Sequence, residues 1–544
     1  MGVLLGRGKA DPNIGDRDGR TPLSWAAENG HEEVVRILLE GRDTNPSLAD
    51  TQHRTPLLFA AENGHEGIVG LLLERDDVNP NISDTQFGTT PLSFAAENGH
   101  EGVVRILLKR NDTNPNISDQ DSRTPLSWAA QNDYEGIVGL LLERDDVNPN
   151  ISDTQWGTTP LSFAAENGHE GVVRILLKRN DTNPNIADTQ TGTTPLWWAA
   201  HKNCQGVLRL LLERCDTNPN TADAKYGRTP LSLAADHSWC EGAVRLLLAR
   251  NDLDPNIADA KSRKTPLVLA AQKGHEEMVR VLLKQSDVDP NLADGRYGKT
   301  PLWWAAMNAR EGVLRILLER GDVNPNTADP QSGRTPLSFA AENGREGVVR
   351  ILLERNDTDP NIADTQSRRT PLSLASQKGH EGVVRILLGR DDADPNIADA
   401  PLRRTPLSLA AQRGHEGVVR VLLKRRDVNP NLADAQSGRT PLSWAAENGH
   451  LEVVRVLLER NDTNPNIADT QYYRTPLSWA TERGHLEIVK LLLERYDINP
   501  NTIDIQHGQT PPSFATENCC YEGIARLLQE PDDANSNTDA ANLA

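Results

Sequence analysis

The sequence predicts an all-α solenoid of stacked helix-turn-helix units, and three observations predict it. Thr-Pro recurs in one register at Thr21, Thr55, Thr90, Thr124, Thr159, Thr194, Thr229, Thr265, Thr300, Thr335, Thr370, Thr405, Thr440, Thr475 and Thr510. These fifteen starts lie 34 to 36 residues apart, a period that signals a stacked repeat array. Each copy holds two short apolar patterns of helical spacing, separated by a glycine turn. One such unit cannot bury its apolar face alone, so neighbours must cover it.

The copy beginning at Thr90 shows how each element follows from its residues. Thr90 is a helix N-cap, its hydroxyl free to accept a backbone N–H. Pro91 takes the first helical position, where its missing N–H costs nothing. Leu92, Phe94, Ala95 and Ala96 make a short apolar face, and the alanines permit close approach of a neighbouring helix. Gly99 ends the helix, since glycine adopts the left-handed conformation without strain. A second helix is predicted from Glu101 to Arg110, burying Val103, Val104, Ile106, Leu107 and Leu108. Glu101 and Arg105 form an i,i+4 pair in the favoured order. Asn111 is expected to close the helix in the left-handed region. Asn114-Pro115 then forces an extended return, anchored by Ile117, and residues 118–123 form a polar tip.

These residues resemble the ankyrin repeat in Thr90-Pro91-Leu92, Ala95-Ala96, Gly99-His100, Val103-Val104 and Leu107-Leu108. Arg320-Gly321-Asp322-Val323-Asn324 is nearest to that family's usual end of the second helix. The resemblance implies antiparallel helix pairs, hairpin-like tips and a concave protein-binding face made by tips and first helices. Two features depart from it. Serine, as at Ser24 and Ser93, mostly stands where the family has histidine. Most units also exceed the family's roughly 33 residues. The longer unit with Asn-Pro-Asn is similar to arrays of large fungal receptor-like proteins, many of which carry a nucleotide-binding switch domain before the array. The likeness reaches only the array.

Across 544 residues the period implies one long solenoid with a distributed core. Helices packed about 8–10 Å apart would give an arc on the order of 150 Å. Net charge is −19 and the pI about 5.2, which argues against nucleic acid as a partner. Five cysteines at Cys204, Cys215, Cys240, Cys519 and Cys520 have no regular spacing, so a disulfide framework is not expected. No signal peptide or membrane-spanning run is visible, and a cytoplasmic location is the expectation, with the nucleus also compatible. Sequons such as those at Asn81 and Asn111 then follow from the repeat and stay unmodified.

The expected organisation is a partial repeat and first tip at 1–20, fifteen repeats at 21–530 and a polar tail at 531–544. Residues 3–7 match the end of a second helix, with no capping repeat before them; association of copies through that end is the one expected departure from a monomer. Glu66–Ile117 and Glu135–Ile186 are 52-residue copies that differ only at Phe87 and Trp156. The middle is the most divergent stretch. It contains Trp197-Trp198, a lengthened turn at Asp236-His237-Ser238-Trp239-Cys240, and Trp303-Trp304. The last unit is degraded, with Pro512 in place of leucine.

No catalytic signature is present, and no cofactor is expected. Gly295–Thr300 lacks the spacing of a phosphate-binding loop. His201, Cys204, His237 and Cys240 carry zinc-ligand chemistry, but the cysteines occupy equivalent places one helix-packing distance apart, too far for bonds of about 2.3 Å. Recurrent histidines such as His31, His65, His100 and His169 are expected to bond neighbouring backbone. Trp25, Phe59 and Leu233 are read as packing between repeats.

The function expected is a scaffold or recognition module that binds a partner protein through the concave face and tips. An adaptor presenting a substrate to a ubiquitin ligase or other enzyme is the alternative; a cryptic metal protein or enzyme is the third reading. Candidate contact residues are the doubled tryptophans Trp197 and Trp303, the tip aromatics Phe87, Trp156, Tyr226, Tyr297 and Tyr472, and His201, Lys202, His237, Lys273 and Met307. The last five stand where most units have Glu-Asn at the end of the first helix. There the face loses acid and gains aromatic and basic groups, features suited to an anchor for an acidic segment.

Overall fold

The computed structural model describes residues 11–41, 43–400, 402–517 and 522–529. Residues 1–10 of the partial repeat and tip expected at 1–20, the Cys519-Cys520 turn and the tail at 531–544 lie outside the described residues. These contain thirty α-helices and one short 3-10 turn, Ser238–Cys240, and no strand. They fall into two compact units. One reaches to Leu269 and includes Lys284–Val288; the other comprises Ala270–Leu283 and the chain from Asp289. Each is a solenoid of helix pairs. Within each, first helices stack on first helices, second on second, and the two helices of a repeat pack on each other.

The repeat at Thr90 follows the caps read from its sequence. Its first helix spans Pro91–Glu97, with the Ser93 N–H donating to Thr90 Oγ1 at 3.2 Å. Ser93 is fully buried, and its hydroxyl lies 3.0 Å from that of Thr90. The serine that departs from the resembled pattern thus has a partner inside its own cap. Gly99 has φ +79°. The second helix, Glu101–Leu108, buries Val103, Val104 and Leu107, and the Glu101–Arg105 pair closes at 2.8 Å.

That helix is shorter than predicted and ends differently, because Asn111 does not have a positive φ. The Thr113 hydroxyl and the Arg110 N–H both donate to the Leu107 carbonyl, at 2.8 and 3.2 Å. The Arg110 guanidinium reaches back to Leu73 O of the preceding repeat at 3.1 Å, and grips Asp112 with two further bonds. Side chains, one from the next repeat, satisfy the terminal carbonyls, and no left-handed residue is needed.

A second tie between repeats runs through Asn-Pro-Asn. Asn116 Nδ2 donates to Asp146 O at 2.6 Å, and its Oδ1 accepts the Asn148 N–H at 2.8 Å. Asn81, Asn150 and Asn185 do the same in the first unit, Asn326 and Asn431 in the second. Asn81 and Asn116 therefore use the very amide nitrogen that a glycan would occupy.

Candidate binding surface

The face that carries the candidate residues is built from three positions of each repeat. They are the residue before Thr-Pro, the aromatic or leucine four residues after that threonine, and the acid or amide at the end of the first helix. In the second unit Arg474 shows the arrangement. Its guanidinium lies 4.8 Å from the Trp479 ring and 5.1 Å from Phe514 of the next repeat. It donates to Glu482 at 2.7 Å and lies 3.4 Å from Asp504 of the next tip. Arg439 is held in the same way between Trp444 and Trp479, at 4.7 and 3.9 Å, and pairs with Glu447. In the first unit Arg20 and Arg54 sandwich Phe59 at 4.6 and 4.3 Å, and Arg54 pairs with Glu62. Planar cations stacked on aromatic faces with a carboxylate at the rim satisfy charge and ring together.

This column corrects one expectation. The aromatic after Thr-Pro-Leu-Ser is not uniformly core. Phe59 and Trp479, covered by arginine on both faces, are 0% and 2% exposed. Trp25 is 45% exposed, although Arg20 stacks on it and its indole donates to Asp16 at 3.0 Å. The position is a rim column, buried at Phe59, Phe163 and Trp479 and open at Trp25.

The recurrent histidines bond neighbouring backbone as expected. His65, His100 and His169 lie 3.0, 2.9 and 3.0 Å from Glu28 O, Glu62 O and Gln131 O of the preceding repeats. His31 is an exception, being exposed.

The candidate residues separate into several environments. Phe87 and Trp156 are 56% and 46% exposed at their tips. Tyr226 is half-buried under Lys225 and Lys261 at 5.1 and 5.0 Å. Trp197 and His201 are half-buried with ring centroids 5.3 Å apart, and His237 follows at 6.2 Å from His201. Lys202 is exposed beside them. Burial, then Lys202 and His237, holds His201 below the ordinary histidine range, so His201 replaces the usual acid without adding a full cation of its own, and the cation here is Lys202. Trp239, 65% exposed and 4.7 Å from His237, completes the ring cluster. Sequence reading passed over it as a contact residue, and its signal was the lengthened turn.

In the second unit the exposure expected of Trp303 is not found. It is 3% exposed, packed 5.0 Å from Phe339 and beneath Lys299 at 3.6 Å, with its indole donating to Arg334 O. A tryptophan in place of the cap serine folds inward because the next repeat supplies both a ring and a carbonyl. Tyr297 and Tyr472 are half-buried against Trp304 and Trp479 at 6.0 and 6.1 Å. Lys273 is exposed and Met307 half-buried.

Among the described residues no three His, Cys, Asp or Glu side chains converge as metal ligands, and no helix is long and apolar enough to cross a membrane. Cys240 is buried, its thiol directed at Ala200 O, and burial pushes its pKa up.

The family model described as ankyrin repeats (3 copies) matches residues 2–84, 77–153, 146–223, 183–259, 231–329, 322–399, 392–469 and 461–539. The chain belongs to the ankyrin repeat family. No curated protein matches it. Ankyrin repeats are generally protein–protein interaction modules, and in this ankyrin chain exposed aromatic groups stand on tips (Phe87, Trp156), on a first helix (Trp25) and on one lengthened turn (Trp239).

Proposed function

We propose that this ankyrin array is a recognition module that binds a partner protein through its tips and first helices, with no chemistry of its own. The observation that carries this reading is the pair of exposed tip aromatics, Phe87 and Trp156. They stand where other tips hold Thr191, Ser332 or Ser437, so folding does not require an aromatic there. Exposed aromatics above a rigid scaffold have the character of binding anchors.

The test uses the full chain and a partner recovered by cross-linking. Phe87→Ser with Trp156→Ser should weaken that complex by at least about 2 kcal/mol while helicity is retained. Unchanged affinity in the folded variant would move the contact surface away from these tips.

A further inference from the structure

Thr89, Thr158, Thr193 and Lys264 stand in the first unit where the column has arginine; His201 and Gln272 replace the helix-end acid beside the last two, while the first two keep it. At each of these two the aromatic and acidic positions around the arginine are kept, although Arg123 also lines the second cavity and Asp188 there already accepts the Thr191 and Thr193 hydroxyls. Phe94 and Trp128 are the flanking aromatics of the first place, Glu97 the helix-end acid and Asp119 the tip acid. Phe163, Trp198, Glu166 and Asp188 are their counterparts in the second. A cavity of about 460 Å³ opens at Thr89, and one of about 340 Å³ at Thr158. Residues from the four roles that Arg474 engages through Trp479, Phe514, Glu482 and Asp504 line each cavity.

The carboxylates at these places differ from those elsewhere in the column. Glu28, Glu62, Glu342, Glu447 and Glu482 each pair with the arginine eight residues before them. For Glu97 and Glu166 that residue is a threonine, too short to reach. Phe87 and Trp156 stand on the tips beside the two openings and line them. The copied block accounts for Thr, Phe and Glu being shared, but Trp128 and Trp198 lie outside it.

We propose that each of these slots takes an arginine side chain of a partner protein, its guanidinium filling the place occupied elsewhere by the repeat's own arginine. The inference deepens the protein-binding reading and rests on it. Stacking between two rings and a bidentate carboxylate contact suit a planar fork better than an ammonium. Arg123 fills the intervening place, 4.8 Å from Trp128. The two slots are thus two repeats apart, about 16–20 Å at helix-packing distances. An extended chain covers that in about five or six residues, so the fitting partner is an extended segment with two arginines at that separation.

The probe is a labelled Gly/Ser peptide with two arginines five residues apart, titrated into the full chain. The arginine peptide should bind at least tenfold tighter than the same peptide with citrulline, and tighter than its lysine form. Thr89→Arg with Thr158→Arg should fill the slots from within, keep or raise the melting temperature, and weaken peptide binding at least tenfold. Glu97→Gln with Glu166→Gln, which leaves the rings in place, should also weaken it and guards against misfolding of the first variant. Equal binding of arginine and citrulline peptides, tighter binding of lysine, or indifference to both double variants would overturn the proposal. A partner protein whose affinity for the folded chain is unaffected by Thr89→Arg and Thr158→Arg would end this inference and leave the protein-binding reading standing.

Discussion

The His100 ring occupies the space that a side chain on Gly64 would need: its Nδ1 lies 2.6 Å from the position of a Cβ there. Gly64 has φ +75°, and the other ring nitrogen of His100 contacts Glu62 O, two residues earlier in the same turn, at 2.9 Å. One glycine thus answers two demands, a left-handed turn in its own repeat and room for the ring of the next.

Gly64→Ala is therefore expected to cost about 2 kcal/mol, from strain at positive φ together with the clash. His100→Ala should cost about 1 kcal/mol for one hydrogen bond. The double variant should cost less than the sum, because removing the ring relieves the clash. Urea unfolding of the four proteins checks this; strict additivity would mean that the turn strain alone matters.

Asn116 joins its repeat to the next by two hydrogen bonds, so Asn116→Ala should lower stability by about 1–2 kcal/mol. Faster amide exchange at Asn148, whose N–H loses its acceptor, is the local readout. Exchange unchanged at Asn148 would show that water replaces the amide without loss.

Arg439 and Glu447 are nearly buried, with side chains 10% and 12% exposed. Arg439→Ala should cost about 2–3 kcal/mol, because it leaves Glu447 with Arg483 as its one remaining ion-pair partner and uncovers two indole rings. Arg439→Lys keeps the charge but not the planar fork, and should cost about 1–2 kcal/mol. A red shift of tryptophan emission in both variants, larger for alanine, would report the opening of the Trp444–Trp479 gap.

The hydrogen bonds from Arg110, Arg144 and Arg179 hold Asp112, Asp146 and Asp181 below the ordinary carboxylate range. A carboxylate lowered in the folded state contributes stability above its unfolded value, near ~3.9, and loses it as pH falls through the lower folded value. The contribution of these three carboxylates should be level from neutral pH to about 5 and fall below about 4. Asp112→Asn, which cannot titrate, should flatten part of that acid limb in pH-dependent melts.

Glu97 moves the other way. Burial pushes its pKa up, and Asp119 and Glu62 push it further while Arg123 opposes them. The folded state then holds the proton more tightly than the unfolded chain, and stability declines as pH rises from about 4.3 through the raised value. Glu97→Gln should therefore stabilise the protein at pH 7 and make no difference below about pH 4. A destabilised variant at pH 7 would mean that the ionised carboxylate has a partner within the fold.

By itself the sequence determined the repeat and most of what is local to it. Thr90, Pro91 and Gly99 specify the ends of a helix through contacts with their nearest neighbours in the chain, and the buried stripe of Val103, Val104 and Leu107 shows in its spacing. The copied block and the threonines at 89 and 158 were equally plain as letters. Only the tertiary structure decided what those letters meet. Arg110 closes the helix of the preceding repeat, His100 sits over Gly64, and Trp303 turns inward under Phe339, each through partners some thirty or more residues away. Stacking brings those residues into contact, and no local propensity encodes which side chain a neighbour will present. For the same reason Thr89 reads as an ordinary substitution until Phe94, Trp128, Glu97 and Asp119 are seen around the space that it leaves.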